Sequence, residues 1–305
     1  MINKNKFSKA ILILLLTLMT VSLLITGSSV LYRKMRIEEK YIDQEPYSQT
    51  VNSRNFRVVN QNEEYEKEQD KDLRIICLGD SLTWGHGVAD DETYPYYLQK
   101  LLNENSGKSV EVINAGISGS CIIEQLKMYE NKCLDLKHDY VILLYSGSDE
   151  EDYIIQTLFL EKDWQMVDAG PTIKNEKIKD LGIVKFAKYR VLQKRHENIR
   201  NSIDEVRKSQ KGIEMMENMK QDYLRLQQMA GKNGAELVLA FYNAEDNDII
   251  LRFCMEKNIP MIDARQYWQG YDKKDLHIVV HHNAKGNLLL AEMIGEKFSE
   301  KYLSD

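Results

Sequence analysis

From residue 73 onward, short runs dense in Val, Ile and Leu alternate with longer amphipathic segments, and this alternation limits the fold more than any other feature of the chain. Near-continuous apolar runs of strand length belong to strands buried on both faces, which are the strands of a parallel sheet covered by helices. Strands are expected at Leu73–Leu78, Val110–Asn114, Tyr140–Tyr145, Leu237–Tyr242 and Pro260–Asp263. Helices are expected at Tyr94–Asn105, Ile122–Lys137, in pieces across Val184–Ala230, at Asp248–Asn258 and at Lys285–Tyr302. The class is therefore α/β, three αβα layers around a central, mostly parallel five-stranded sheet. Met215, Met216, Met219, Tyr223, Leu226 and Met229 recur at helical spacing and read as a core-facing stripe.

The N-terminus has a different logic. Ala10 to Tyr32 contains no charged residue, and about 20 such residues reach across a bilayer core. Lys4, Lys6 and Lys9 precede it, which also suits a secretory signal. The apolar run exceeds the usual signal core of about 7 to 15 residues and no A-x-A triplet follows, so a retained anchor is favoured over cleavage near Gly27, Ser28 and Ser29. Arg33, Lys34, Arg36 and Lys40 balance the lysines, so the positive-inside rule does not orient the span. A hydrophobic segment so near the N-terminus reads most simply as an export signal. The expectation is a short tail (1–9) inside, a signal-anchor (10–32) in the cell membrane and the domain outside, or a secreted domain if the segment is cleaved. Residues 33–72 have the composition of a polar stalk, with Phe56 to Val59 as the one stretch able to dock, and the domain is expected over 73–305.

With 305 residues, 43% of them hydrophobic, the chain can bury one enzyme-sized core and keep an appendage. A net charge of -6 offers nothing to nucleic acid. Cys77, Cys121, Cys133 and Cys254 are scattered, with no zinc spacing; each lies in or beside an apolar stretch and reads as a small buried hydrophobe, with a disulfide left open for an exported domain.

Open parallel sheets carry their sites at the carboxyl ends of the strands. There the chain places Gly79-Asp80-Ser81-Leu82-Thr83-Trp84-Gly85, then Asn114-Ala115-Gly116-Ile117-Ser118-Gly119, then Ser146-Gly147-Ser148-Asp149. A serine at a strand-to-helix turn, with glycines that let backbone approach a ligand, can act as a nucleophile whose neighbouring N–H groups hold an oxyanion. Taken alone, Gly-Asp-Ser is ordinary turn chemistry, in which Asp80 caps or braces the turn. Near the C-terminus, His281-His282-Asn283-Ala284-Lys285-Gly286-Asn287 opens the last helix and offers His281 as a general base. His86 reads as an exposed loop residue and His277 as a weak second base. Trp84, Tyr94, Tyr96 and Tyr97 fit either a stacking surface for carbohydrate or packing beneath the first helix.

These four pieces, in this order and spacing over residues 73 to 303, resemble the SGNH/GDSL hydrolase family. The resemblance implies the flavodoxin-like fold of that family, Ser81 as nucleophile, Gly119 as an oxyanion N–H donor and His281 as base, with no metal or organic cofactor. It also exposes two departures. The family's third motif, G-x-N-D, carries an oxyanion asparagine where this chain has Ser148, and the acid of its D-x-x-H motif falls on Ile278. Asp275 and Asp149 are the candidates to orient His281 through space, and a backbone carbonyl is a third. The implied function is a serine esterase or deacylase that hydrolyses or transfers small acyl groups, with O-acetyl groups of a cell-envelope polysaccharide as the leading substrate. The alternative, resting on Ser148 and Ile278, is a catalytically impaired binding or scaffold protein of the envelope.

Overall fold

The computed structural model describes residues 49–161, 203–278 and 281–303. Nearly all of these form one unit; only 159–161 and 203–205 fall to a second. The expected anchor at 10–32 lies outside the described residues. Among those described, no helix is long and apolar enough to cross a membrane.

Five parallel strands form the sheet: β1 (Leu73–Leu78), β2 (Val110–Asn114), β3 (Tyr140–Tyr145), β4 (Glu236–Phe241) and β5 (Met261–Asp263), in the order β2-β1-β3-β4-β5. Each expected strand is present within a residue or so of its expected bounds. The order reverses at β1, so the crevice between β1 and its neighbours is where a doubly wound sheet binds ligands. The helices are α1 (Ser81–Trp84), α2 (Tyr94–Asn105), α3 (Ile122–Met128), α4 (Asp149–Glu161), α5 (Gln210–Lys232), α6 (Ile249–Lys257) and α7 (Ala284–Phe298). The expected helix over 122–137 is shorter, because α3 passes into a π-turn at Tyr129–Cys133.

Strand alternation divides the core. Leu73, Ile75 and Cys77 join Leu98 and Leu102 of α2 and Leu290, Ile294 and Phe298 of α7 on one face. On the other, Tyr145 packs edge-on against Tyr223 of α5, with ring centres 6.2 Å apart. The methionine stripe belongs to this second layer: Met215, Met216 and Met219 are buried. All four cysteines are buried free thiols, so the disulfide left open by the sequence does not form.

Two elements depart from the sequence reading. Residues 49–72, expected as a polar stalk in which Phe56 to Val59 could dock, belong to the same unit as the domain, and it is around Phe56 to Val58 that they are buried. Phe56, Arg57 and Val58 are buried, and the Arg57 N–H donates to the Asn114 carbonyl at the end of β2. The physical reason is the Arg57 side chain, 1% exposed, which donates to the Asp90 carboxylate (2.7 Å) and to the carbonyls of Trp84 (2.7 Å), Gly85 and Val88 (2.6 Å). A cation fully supplied with acceptors can be buried where composition alone implies exposure. The second departure is a two-residue hairpin, β6 (His277–Ile278) with β7 (His281–His282), which places His281 on a strand just before α7 rather than in the helix entrance. Asn283 caps α7, accepting from Gly286 N–H at 2.9 Å.

Replacing Arg57 by Met strands the half-covered Asp90 carboxylate and three carbonyls. The expected loss is about 3–5 kcal/mol of unfolding free energy, the usual cost of breaking a buried pair. Urea denaturation measures it; a loss below about 1 kcal/mol would mean the pair behaves as a surface one.

Candidate active site

Ser81 opens α1 just after the carboxyl end of β1. Asp80 caps that short helix, its carboxylate accepting from the Leu82 N–H at 2.9 Å, as its turn chemistry implied. The second loop must pass very close to α1: a Cβ on Gly116 would stand 2.3 Å from the Trp84 nitrogen and 2.7 Å from the Thr83 carbonyl carbon. Only glycine permits that approach of backbone to backbone. The same loop ends at Gly119, whose φ of +71° is left-handed, beside the Gln156 amide that donates to its carbonyl at 3.2 Å.

Across the crevice, His281 Nε2 lies 3.0 Å from Ser81 Oγ, the separation a base needs to take the hydroxyl proton. His86, expected as an exposed loop residue, is partly buried with its ring 4.5 Å from that of His281. The loop that carries it is the one Arg57 fastens. Ser81 N–H and Gly119 N–H donate to no acceptor among the described residues and are available to an oxyanion.

The expected orienters do not meet the base. Asp275 is exposed in a 3-10 turn; its carbonyl accepts from Asn283 Nδ2, and its carboxylate makes no hydrogen bond to His281. Asp149 is fully buried, with one oxygen accepting from Ser146 N–H and the other without a partner, so it too is not bonded to His281. Burial, and then the charge of Asp80, hold the Asp149 carboxyl well above the usual range. Burial also raises Asp80. The missing family acid has a simple geometry: Ile278 stands directly opposite His281 in the β6–β7 register. Cross-strand neighbours of this kind lie side by side, so an acid at position 278 would be placed to brace the ring.

The remaining sequence candidates serve packing. Trp84 donates from Nε1 to Gln49 and carries the Arg57 guanidinium over its ring, 5.7 Å from the centre. Tyr94 is buried in the core, and His277 packs edge-on against His282. His282 is buried and shares a 2.6 Å hydrogen bond with the Tyr267 hydroxyl. Leu82 and His282, the residues that follow the nucleophile and the base, wall a cavity of about 290 Å³ with Tyr242, Tyr267, Trp268 and the cationic Arg265 and Lys273. The aromatic residues of this wall went unnoticed in the sequence because no motif carries them.

The GDSL-like lipase/acylhydrolase family matches residues 77–289, and the chain belongs to that family. It is a carboxylic ester hydrolase of the GDSL/SGNH type. Solved structures of similar fold include a putative lipolytic protein of the G-D-S-L family from Desulfitobacterium hafniense, 15% identical, covering 74% of this chain and 99% of that one, TM-score 0.44. Others are the psychrotrophic esterase EstA from Pseudoalteromonas sp., 13% identical over 75% and 98% of the two chains, TM-score 0.46, and the acetylxylan esterase Axe2 from Geobacillus stearothermophilus, 15% identical over 74% and 94%, TM-score 0.43. No curated protein shows significant sequence similarity to the chain.

Two predictions follow from the site's electrostatics. Ile278→Asp, which sets a carboxylate at the position opposite His281 where the family's motif carries its acid, is expected to raise kcat about tenfold. An unchanged kcat would show that the ring is already held well. The second concerns His282, which burial holds near a pKa of about 3. In the unfolded chain it takes a proton below about pH 6.5. The unfolded state thus binds more protons between those values, so the His282 contribution is complete above about pH 6.5 and lost as the pH falls. The stability of wild type relative to His282→Gln should decline from about pH 7 to pH 5 in denaturation series; a flat difference contradicts the assignment.

Proposed function

We propose that the protein is a serine esterase or deacylase in which Ser81 attacks the ester carbonyl and His281 takes its proton, later returning it to the leaving alcohol. The observation that carries this reading is the 3.0 Å contact between His281 Nε2 and Ser81 Oγ, made by residues far apart in the chain. The N–H groups of Ser81 and Gly119 form the oxyanion hole. An acyl-Ser81 intermediate then reacts with water, or with another hydroxyl if the enzyme transfers its acyl group. Each step needs only protein groups and substrate.

The substrate we propose is a small acyl ester, O-acetyl groups of a cell-envelope polysaccharide first. Two features support it. The cavity of about 290 Å³, walled by Leu82 and His282 next in sequence to the nucleophile and the base, is sized for a small group rather than a long acyl chain. The uncharged Ala10–Tyr32 segment has the length to hold the domain at a membrane, with the active site on the outer side.

A fluorophosphonate probe tests the nucleophile. The wild-type protein is expected to form a stable adduct on Ser81 and to hydrolyse acetyl esters, and Ser81→Ala to do neither. His281→Gln should lower kcat by about 10³-fold or more. A wild-type protein that neither labels nor exceeds the Ser81→Ala rate would instead favour the binding or scaffold reading, which Ser148 and Ile278 first suggested.

A further inference from the structure

Ser148 stands where the family places an oxyanion asparagine, and its surroundings bear on how a serine could do that work. Ser146 Oγ, buried at the end of β3, makes three contacts: Tyr242 hydroxyl at 3.2 Å, Ser148 N–H at 3.3 Å and Ser148 Oγ at 2.7 Å. A serine hydroxyl has one proton to give and two lone pairs to accept with. Among the described residues the Tyr242 hydroxyl has no polar contact besides Ser146 Oγ, to which it donates. Burial and the charge of Asp80 hold Tyr242 far above its ordinary pKa, so the proton is present at any working pH. Both lone pairs of Ser146 are then occupied, by Tyr242 and by the Ser148 N–H. Its own proton has one remaining acceptor, Ser148 Oγ. That contact uses a Ser148 lone pair and leaves the Ser148 proton with no acceptor in the described protein.

We infer that Tyr242 and Ser146 form a hydroxyl relay that turns the Ser148 proton outward, making Ser148 the third oxyanion donor in place of the asparagine amide. The inference rests on Ser81 being the nucleophile. Ser148 is exposed at the carboxyl end of β3, and β3 pairs directly with β1, whose end carries Ser81. Tyr242 walls the same cavity as Leu82 and His282, the residues that follow the nucleophile and the base. Ser148 is thus the catalytic residue, while Tyr242 and Ser146 are positioning residues that set the direction of its proton. A free serine hydroxyl rotates, and an asparagine amide does not; the relay supplies the missing orientation.

The test is a double-mutant cycle on acetyl-ester hydrolysis by the full-length protein. Tyr242→Phe removes one oxygen and keeps the ring that packs on Tyr267 and His282. It frees a lone pair on Ser146, toward which Ser148 can turn its proton. The expected loss is about tenfold in kcat with KM nearly unchanged, against a loss of up to ~10² to 10³ for Ser148→Ala. Ser148→Asn brings an amide donor that needs no relay, so Tyr242→Phe in that background should cost less than about twofold. The relay is overturned if Tyr242→Phe costs the same factor in both backgrounds, or nothing in the wild type. Ser81→Ala separates the two failures. If the wild-type rate does not exceed it, the hydrolase reading itself has failed; if it does, a failed cycle removes only the relay.

Discussion

Two hundred positions of chain separate Ser81 from His281, and the rest of the site depends on the hydrogen bond that closes this gap. Nothing local brings the residues together. The parallel sheet does so, because every strand delivers its following loop to the same edge and β1 lies between β2 and β3. Ser81 leaves β1, the Gly116–Gly119 loop leaves β2, and the Ser146–Asp149 turn leaves β3. The base comes last, from the β6–β7 hairpin seated in front of α7. Any change that shifts one layer of this sheet moves nucleophile, oxyanion donors and base relative to each other.

What then distinguishes this chain within its family is how its polar groups are rearranged around a retained nucleophile. The acid expected opposite His281 is an aliphatic residue, and the aromatic ring of His86 packs on the base instead. The asparagine expected after β3 is a serine within a set of hydroxyls. The buried Asp149 carboxyl is held well above its ordinary range by burial and by the charge of Asp80, and it makes no hydrogen bond to the imidazole. The site has exchanged charge for hydroxyl groups and packing, an arrangement that asks more of exact side-chain rotamers and less of ion pairs.

The sheet and the place of Ser81 were legible in the sequence because their signals are dense. Strands buried on both faces read as unbroken Val, Ile and Leu, and Gly-Asp-Ser follows the first of them directly. The hairpin was not legible: strands of two residues have no period to detect, so the sequence shows His281 only as a residue at the entrance of the last helix, expected from Lys285. The segment around Arg57 was obscured for a different reason. Its polar composition points to solvent, while its burial rests on carbonyls of Trp84, Gly85 and Val88 that no sequence pattern advertises. The Tyr242–Ser146–Ser148 contacts join β4 to the turn after β3, a proximity that only the strand order reveals.

The central claim is that Ser81 carries the acyl group. Mixing the protein with excess acetyl ester, quenching in acid within the first turnovers and mapping the peptides by mass spectrometry tests it most directly. The account predicts an acetyl group on the peptide containing Ser81, on its hydroxyl, that decays as product forms. Hydrolysis that proceeds at full rate with the acetyl group on another residue would contradict it.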